Sequence, residues 1–89
     1  MAKKYMLVRF VVENFSNWKS LYDQDHKDHE KAGLKELHLL RSIENPDGVT
    51  LLFEVEDVEK AKAFVSSPAT RERIEKARIV GDPEISFLS

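Results

Sequence analysis

The chain contains no cysteine, which excludes disulfides, thiolate metal sites and thiol nucleophiles. It also lacks long apolar runs: none approaches the ~20 residues that cross a membrane. The first residues, 1–4, lead into an alternating segment rather than the apolar core of a signal peptide. We therefore expect a cytoplasmic protein with no membrane partner.

An excess of charge of one sign is missing too. The 14 Lys and Arg residues against 16 Asp and Glu residues leave a net charge of -2. A protein that binds nucleic acid needs a basic face for the phosphates, so we expect no nucleic-acid partner. Gly-rich phosphate loops and nucleophile-elbow motifs are also absent from the sequence. We therefore predict no cofactor.

Apolar segments and helical stretches follow one another in a recognisable order. Strands are predicted at residues 5–12, 34–43, 49–55 and 85–88, with one helical stretch before the second strand and another before the last. This order is the βαββαβ pattern of the ferredoxin-like sandwich. We predict an α+β fold in which residues 1–89 form a single domain, with a four-stranded antiparallel sheet and both helices on one face.

Two local signals mark the connections of this fold. Asn14 or Ser16 is predicted to cap the first helix, and Gly33 to follow its end. The sequence Asn-Pro-Asp-Gly at 45–48 predicts a hairpin turn, with Gly48 supplying a positive φ.

Strands 5–12 and 49–55 are apolar on both faces, although the helices cover only one face of the sheet. The simplest partner for the other face is a second copy of the chain, giving a C₂ homodimer with a shared barrel-like core. We expect substitution of Leu51 or Phe53 by Glu to produce monomer or insoluble protein. The predicted architecture is therefore a dimeric α/β barrel.

The first helix carries the one constellation with possible chemistry. Trp18, Tyr22, Asp25 and His29 fall on one stripe of the helix. Asp25 and His29 are four residues apart, so the carboxylate can orient the imidazole as a general base. We predict His29, Asp25 and Tyr22 as catalytic residues. The alternative is a solvated pair, because residues 23–31 are almost entirely polar.

Three further residues are candidates for binding a ligand. Trp18 and Phe53 offer flat apolar surfaces, and Arg9 interrupts an apolar strand with a planar fork that suits a carboxylate. The alternative for Arg9 is an edge position or an ion pair with a neighbouring Glu.

A metal site is a weaker possibility on the same helix. His26 and His29 are three residues apart and lie near Asp25. A closed site needs four ligands, and the sequence specifies no others. We predict no metal.

Many segments resemble the small dimeric α/β-barrel proteins described as cyclase-like or antibiotic-biosynthesis-monooxygenase-like. The resemblance covers nearly the whole chain and rests on Val8-Arg9, Trp18-Lys19, Tyr22-Asp23, Ala32-Gly33, the 45–48 turn, Phe53-Glu54-Val55 and residues 61–68. It implies a homodimer with a pocket between helices and sheet in each subunit. Members include cofactor-free monooxygenases, muconolactone isomerase and polyketide cyclases. The quinone-forming members use an Asn and a Trp on later elements, and residues 57–77 contain neither.

The resemblance and the helical constellation together predict a homodimeric small-molecule-binding protein. Its activity is that of a cofactor-free cyclase, isomerase or monooxygenase acting on a small apolar or aromatic substrate. The alternative is a non-catalytic ligand-binding or stress-associated dimer. A cavity between the first helix and the sheet favours the first hypothesis, and a filled interior favours the second.

Overall fold

The structure is a computed structural model that describes residues 3–24 and 26–89, with side chains described for all of these except residues 26–28. Its elements follow the predicted order. They are β1 (Lys4–Val12), α1 (Phe15–Gln24), α2 (His26–Lys31), β2 (Leu34–Arg41), β3 (Gly48–Val55), α3 (Val58–Val65), α4 (Pro68–Lys76) and β4 (Ile79–Leu88).

The strands form one antiparallel four-stranded sheet in the order β2-β3-β1-β4. β1 and β3 lie in its centre, and the helices cover one face. This is the ferredoxin-like βαββαβ topology, so the predicted fold class is confirmed. Among the described residues, none of the helices has the length and apolar character that crossing a membrane requires.

The face of the sheet that packs against the helices, called here the inner face, holds the core. Alternate residues of the two central strands point to it, and all are buried or half-buried: Met6, Val8, Phe10 and Val12 of β1, and Val49, Leu51, Phe53 and Val55 of β3. Leu51 and Phe53 therefore face the helices. The expectation that they lie at a dimer face was wrong. When both sides of a strand are apolar, the alternation of its residues does not show which side the helices cover.

The opposite, or outer, face of the sheet is uncovered in the single chain. Its central residues, Leu7 and Leu52, are opposite one another in the register of β1 and β3 and are half-buried. Around them Leu40, Val80 and Leu88 are 55%, 56% and 45% exposed. Each of the four strands therefore contributes apolar side chains to the outer face, beside polar residues such as Arg9 and Thr50.

Two strand boundaries differ from those predicted. β2 ends at Arg41 rather than at residue 43, and β4 begins at Ile79 rather than at residue 85. The sequence Gly-Asp-Pro at 81–83 is typical of a turn, yet here it lies within β4, where the register against β1 shifts between Arg9 and Val11. An edge strand tolerates this Pro because its unpaired side has no ladder hydrogen bond to lose.

The connections confirm one glycine prediction and correct another. Gly33 has a φ of 74° directly after the first helical stretch, as predicted. Gly48 is not among the positive-φ residues. Its amide donates to the Asn45 carbonyl at 2.8 Å, so it occupies the last position of the turn, where a type I turn also favours glycine. At the start of α1, the Asn14 side chain accepts from the Asn17 amide at 3.0 Å, which confirms Asn14 as a cap.

Replacement of Gly33 by Ala is expected to lower the free energy of unfolding by about 2 kcal/mol, since a left-handed residue with a Cβ costs about 1–2 kcal/mol. The new Cβ would also lie 3.3 Å from the Cβ of Glu56. Gly81→Ala is the matched control, because Gly81 has a φ of 73° but no atom within 4 Å of such a Cβ. Urea denaturation should show the smaller loss for Gly81→Ala. Equal losses would contradict the steric part of the argument.

Candidate functional site

A cavity of about 130 Å³ lies between the inner face of the sheet and the helices. Its lining comes from every layer of the fold and is mostly apolar: Met6, Val8, Phe10, Trp18, Leu21, Tyr22, His29, Leu34, Leu51, Phe53, Phe64, Val65, Thr70, Arg73, Ile74, Ala77, Ile79, Pro83 and Ile85. A few polar groups in an apolar wall are typical of a small-molecule site, where the apolar surface gives affinity and the polar groups give orientation.

One wall of the cavity is a row of rings from the first helical stretch. Trp18 stacks on Tyr22 with ring centroids 4.9 Å apart, and Tyr22 contacts His29 at 5.0 Å. The row follows from the sequence, since Trp18 and Tyr22 are one helical turn apart. His29 then reaches the sheet, where its ring lies 5.6 Å from that of Phe53. The imidazole is half-buried in an aromatic surrounding.

The Tyr22 hydroxyl donates a hydrogen bond to a carboxylate oxygen of Glu36 at 2.7 Å. Burial raises the pKa of Tyr22 far above its usual range, and the hydrogen bond and negative charge of Glu36 add to this effect. Tyr22 is therefore protonated at every physiological pH. Its proton is directed at Glu36, which leaves the oxygen only as a hydrogen-bond acceptor toward the cavity.

The structure brings four of the predicted site residues together. Trp18, Tyr22, His29 and Phe53 all line the cavity. Asp25, the predicted partner of His29, lies outside the described residues.

Arg9 does not join this group. It lies on the outer face of the sheet, exposed, opposite Thr50 of β3 and Glu84 of β4. The inner face at this point is formed by its neighbours Val8 and Phe10. Arg9 is therefore separated from the cavity by the sheet itself, and its predicted part in the same ligand site is not supported by its position.

The wall that α4 contributes was not predicted from the sequence. Thr70, Arg73, Ile74 and Ala77 line the cavity. Their spacing of three and four residues places them on one helical face, and this spacing was visible in the sequence. It was obscured because the segment is short and rich in charge, a composition typical of a solvated helix. Arg73 is half-buried, whereas Arg71 of the same helix is exposed.

No group of three or more metal-ligating side chains occurs among residues 3–24 and 26–89 as described. The possible pairing of His26 with His29 and Asp25 involves side chains outside that description. The described lining of the cavity is aromatic and aliphatic, with a few polar side chains such as Tyr22, His29 and Thr70.

No protein-family model and no curated protein sequence matches the chain. Solved structures do. A protein from Bordetella bronchiseptica, provisionally assigned as an antibiotic biosynthesis monooxygenase, is similar with a TM-score of 0.81 and 19% identity, over 100% of this chain and 97% of that one. SnoaB, a cofactor-independent oxygenase from Streptomyces nogalater, is similar with a TM-score of 0.75 and 13% identity, over 100% and 93%.

This chain has the fold of these proteins. A conserved protein from Methanosarcina mazei is also similar, with a TM-score of 0.74 and 18% identity, over 98% of this chain and 91% of that one. The resemblance to monooxygenase-like proteins of this fold is therefore confirmed for the architecture. The TM-scores establish the shared fold. Because the sequence identities are low, any chemistry must be argued from the residues that line the cavity.

The Tyr22 environment predicts an unusual alkaline titration. The chain has two tyrosines, so Tyr5→Phe leaves Tyr22 as the sole phenol. Its phenolate absorbance should stay absent through pH values where an ordinary tyrosine, with a pKa of about 10, ionises. Because the unfolded state ionises there and the folded state does not, stability from this group is present below about pH 10 and declines above it.

Glu36→Gln in the Tyr5→Phe background is the control. Removing the carboxylate charge should lower the pKa of Tyr22 and bring phenolate absorbance to lower pH. A phenolate signal with an ordinary midpoint in folded Tyr5→Phe protein would contradict the burial and hydrogen bonding described.

Proposed function

We propose that this protein binds a small apolar or aromatic molecule in the cavity between its inner sheet face and its helices. The observation that carries the proposal is the cavity itself, which is apolar and has a wall of stacked rings. Its volume of about 130 Å³ is close to that of an engineered apolar cavity of about 150 Å³ that binds benzene. The ligand is accordingly of single-ring size.

We further propose that His29 acts on this ligand as a general base. Imidazole is the side chain whose ordinary pKa lies nearest to neutrality, and His29 lines the cavity beside Tyr22 and Phe53. In this proposal Asp25 orients the imidazole from one helical turn earlier, as the spacing predicts. Tyr22, held protonated by its burial and by Glu36, positions the ring of His29 by contact and serves as an acceptor.

Removal of a proton from carbon is the step that the three candidate activities share. An isomerase returns the proton to another carbon, and a cyclase lets the carbanion attack a carbonyl. A cofactor-free monooxygenase lets the carbanion reduce dioxygen: a CH₂ group and O₂ become a C=O group and water. The oxygenase activity stated for the Streptomyces nogalater protein of the same fold supports the last of these.

The alternative is a ligand-binding protein without chemistry. It is favoured by the absence of Asn and Trp from residues 57–77, since the resemblance implies an Asn and a Trp on later elements for the quinone-forming activity. In that case the cavity still binds its ligand, but His29 only contacts the ligand and takes no part in a reaction.

Binding is tested with toluene as the probe, followed by ligand-observed NMR and by the fluorescence of Trp18, the sole tryptophan. Ala77→Phe, which projects a ring into the cavity, should weaken toluene binding at least about tenfold, the equivalent of 1.4 kcal/mol. Ala69→Phe is the matched control, since Ala69 lies on α4, the helix that Ala77 caps, but is exposed. Binding that survives Ala77→Phe unchanged would place the ligand elsewhere.

Catalysis is tested with phenylacetone, a single-ring ketone with acidic C–H bonds, in D₂O. The wild-type protein should accelerate deuterium incorporation. His29→Gln should abolish the acceleration while phenylacetone still binds. A wild-type protein that binds phenylacetone without accelerating exchange would decide in favour of the non-catalytic alternative.

We also propose that two copies pair through their outer sheet faces, forming the dimeric barrel. The support is the apolar surface of Leu7, Leu52, Leu40 and Leu88, which a single chain leaves partly in water. Apolar side chains gathered on an uncovered sheet face are typical of interfaces.

Leu40→Glu tests the dimer. Leu40 is 55% exposed in the single chain, so the fold itself should tolerate the charge. Light scattering should show monomer for Leu40→Glu and dimer for Ala63→Glu, a control on the exposed surface of α3. A dimeric Leu40→Glu protein would argue against pairing through this face.

A further inference from the structure

We propose that Arg41 is a positioning residue of the ligand cavity: it holds the ring of Phe15 from outside, and Phe15 in turn keeps Trp18 in place in the cavity wall. The inference rests on the proposed ligand cavity and deepens it by naming a residue that shapes the wall without touching the ligand. It also gives a part in the site to the turn at 45–48, which the proposed function does not use.

Arg41 ends β2 and contacts the first residue of α1. Its register opposite Val49 places it on the inner side of the sheet. The guanidinium carbon Cζ lies 3.8 Å from the centre of the Phe15 ring, and Nε donates a hydrogen bond to the Pro46 carbonyl at 2.8 Å. A planar guanidinium stacks on a ring through its face and donates through its edge, so one side chain makes both contacts. Arg41 therefore connects the start of α1 to the turn.

The turn holds the start of α1 by a second contact. The Phe15 amide donates to a carboxylate oxygen of Asp47 at 3.1 Å. A carboxylate at the N-terminus of a helix satisfies one of its unpaired amides and interacts favourably with the helix dipole. Asp47 is itself fixed, because its carbonyl accepts from the Val12 amide at 2.9 Å and its amide donates to the Asn45 side chain at 3.1 Å. Phe15 is therefore held through both its backbone and its ring.

Phe15 transmits this constraint to the cavity wall. Its ring centroid lies 5.7 Å from that of Trp18, which lines the cavity. Phe10 contacts Trp18 edge-on at 5.2 Å, and Tyr22 stacks on it at 4.9 Å. Trp18 is therefore packed among rings, and Phe15 is the one that Arg41 covers. A site binds more tightly when its wall already has the bound arrangement, since binding then loses less conformational freedom.

Toluene is the probe, with binding followed by ligand-observed NMR. Arg41 is exposed, so the fold should tolerate Arg41→Gln. The dissociation constant for toluene should rise about two- to fivefold, the size expected of one exposed cation–π contact. The tryptophan band of the near-UV circular dichroism should weaken too, because it reports how rigidly Trp18 is packed. Arg71→Gln is the matched control, since Arg71 is exposed on α4, and it should change neither measurement.

Two backgrounds at Phe15 separate positioning from a general effect on stability. In Phe15→Leu the ring is gone, so adding Arg41→Gln should weaken toluene binding no further. In Phe15→Tyr the ring is kept, so Arg41→Gln should again weaken binding. This second background keeps the test available if the Phe15→Leu protein does not fold. An equal loss of affinity with and without the ring would show that Arg41 does not act through Phe15.

The outcomes distinguish this inference from the proposed function. If the wild-type protein binds toluene and Arg41→Gln binds it equally well, the positioning role is refuted while the proposed ligand cavity stands. If the wild-type protein does not bind toluene, the proposed function fails and the tryptophan band alone decides the role of Arg41. An unchanged band in Arg41→Gln then refutes that role, and a weakened band supports it.

Discussion

The antiparallel pairing of β1 with β3 is the interaction on which the rest of the molecule depends. Its register sets Met6 opposite Phe53 and Val8 opposite Leu51, and these side chains form the floor of the inner face. The same register sets Leu7 opposite Leu52 on the outer face. One pairing therefore places apolar side chains on both faces of the sheet, of which the chain's own helices cover one. A shift by a single residue would exchange them.

The cavity arises from how unevenly the helices cover the inner face. The first helical stretch contributes large rings, with Trp18 and Tyr22 buried. α4 has no fully buried residue and presents shorter or charged side chains, among them Thr70 and Arg73. Aromatic bulk on one side and smaller groups on the other leave a space that the chain does not fill. The Tyr22 and Thr70 hydroxyls donate their protons to Glu36 and to the Phe64 carbonyl.

Much of the cavity wall follows from helical periodicity. Trp18, Tyr22 and His29 recur at intervals that align side chains on one stripe, so their common wall was predictable. Arg9 and Arg73 show where this reasoning ends. Arg9 interrupts an apolar strand, which is a conspicuous signal, but it points away from the cavity. Arg73 sits in a charged stretch that is typical of a solvated helix, yet it lines the cavity.

Local sequence by itself determined the order of the elements, the helix cap at Asn14 and the left-handed Gly33, because these depend on backbone conformation and on neighbours within a few residues. The tertiary structure decided which face of each strand the helices cover and that β4 continues through Gly81 and Pro83. It also decided that the Tyr22 hydroxyl donates its proton to Glu36. Those outcomes depend on contacts between residues distant in the chain. A strand that is apolar on both sides is compatible with either orientation until a helix packs against one of them.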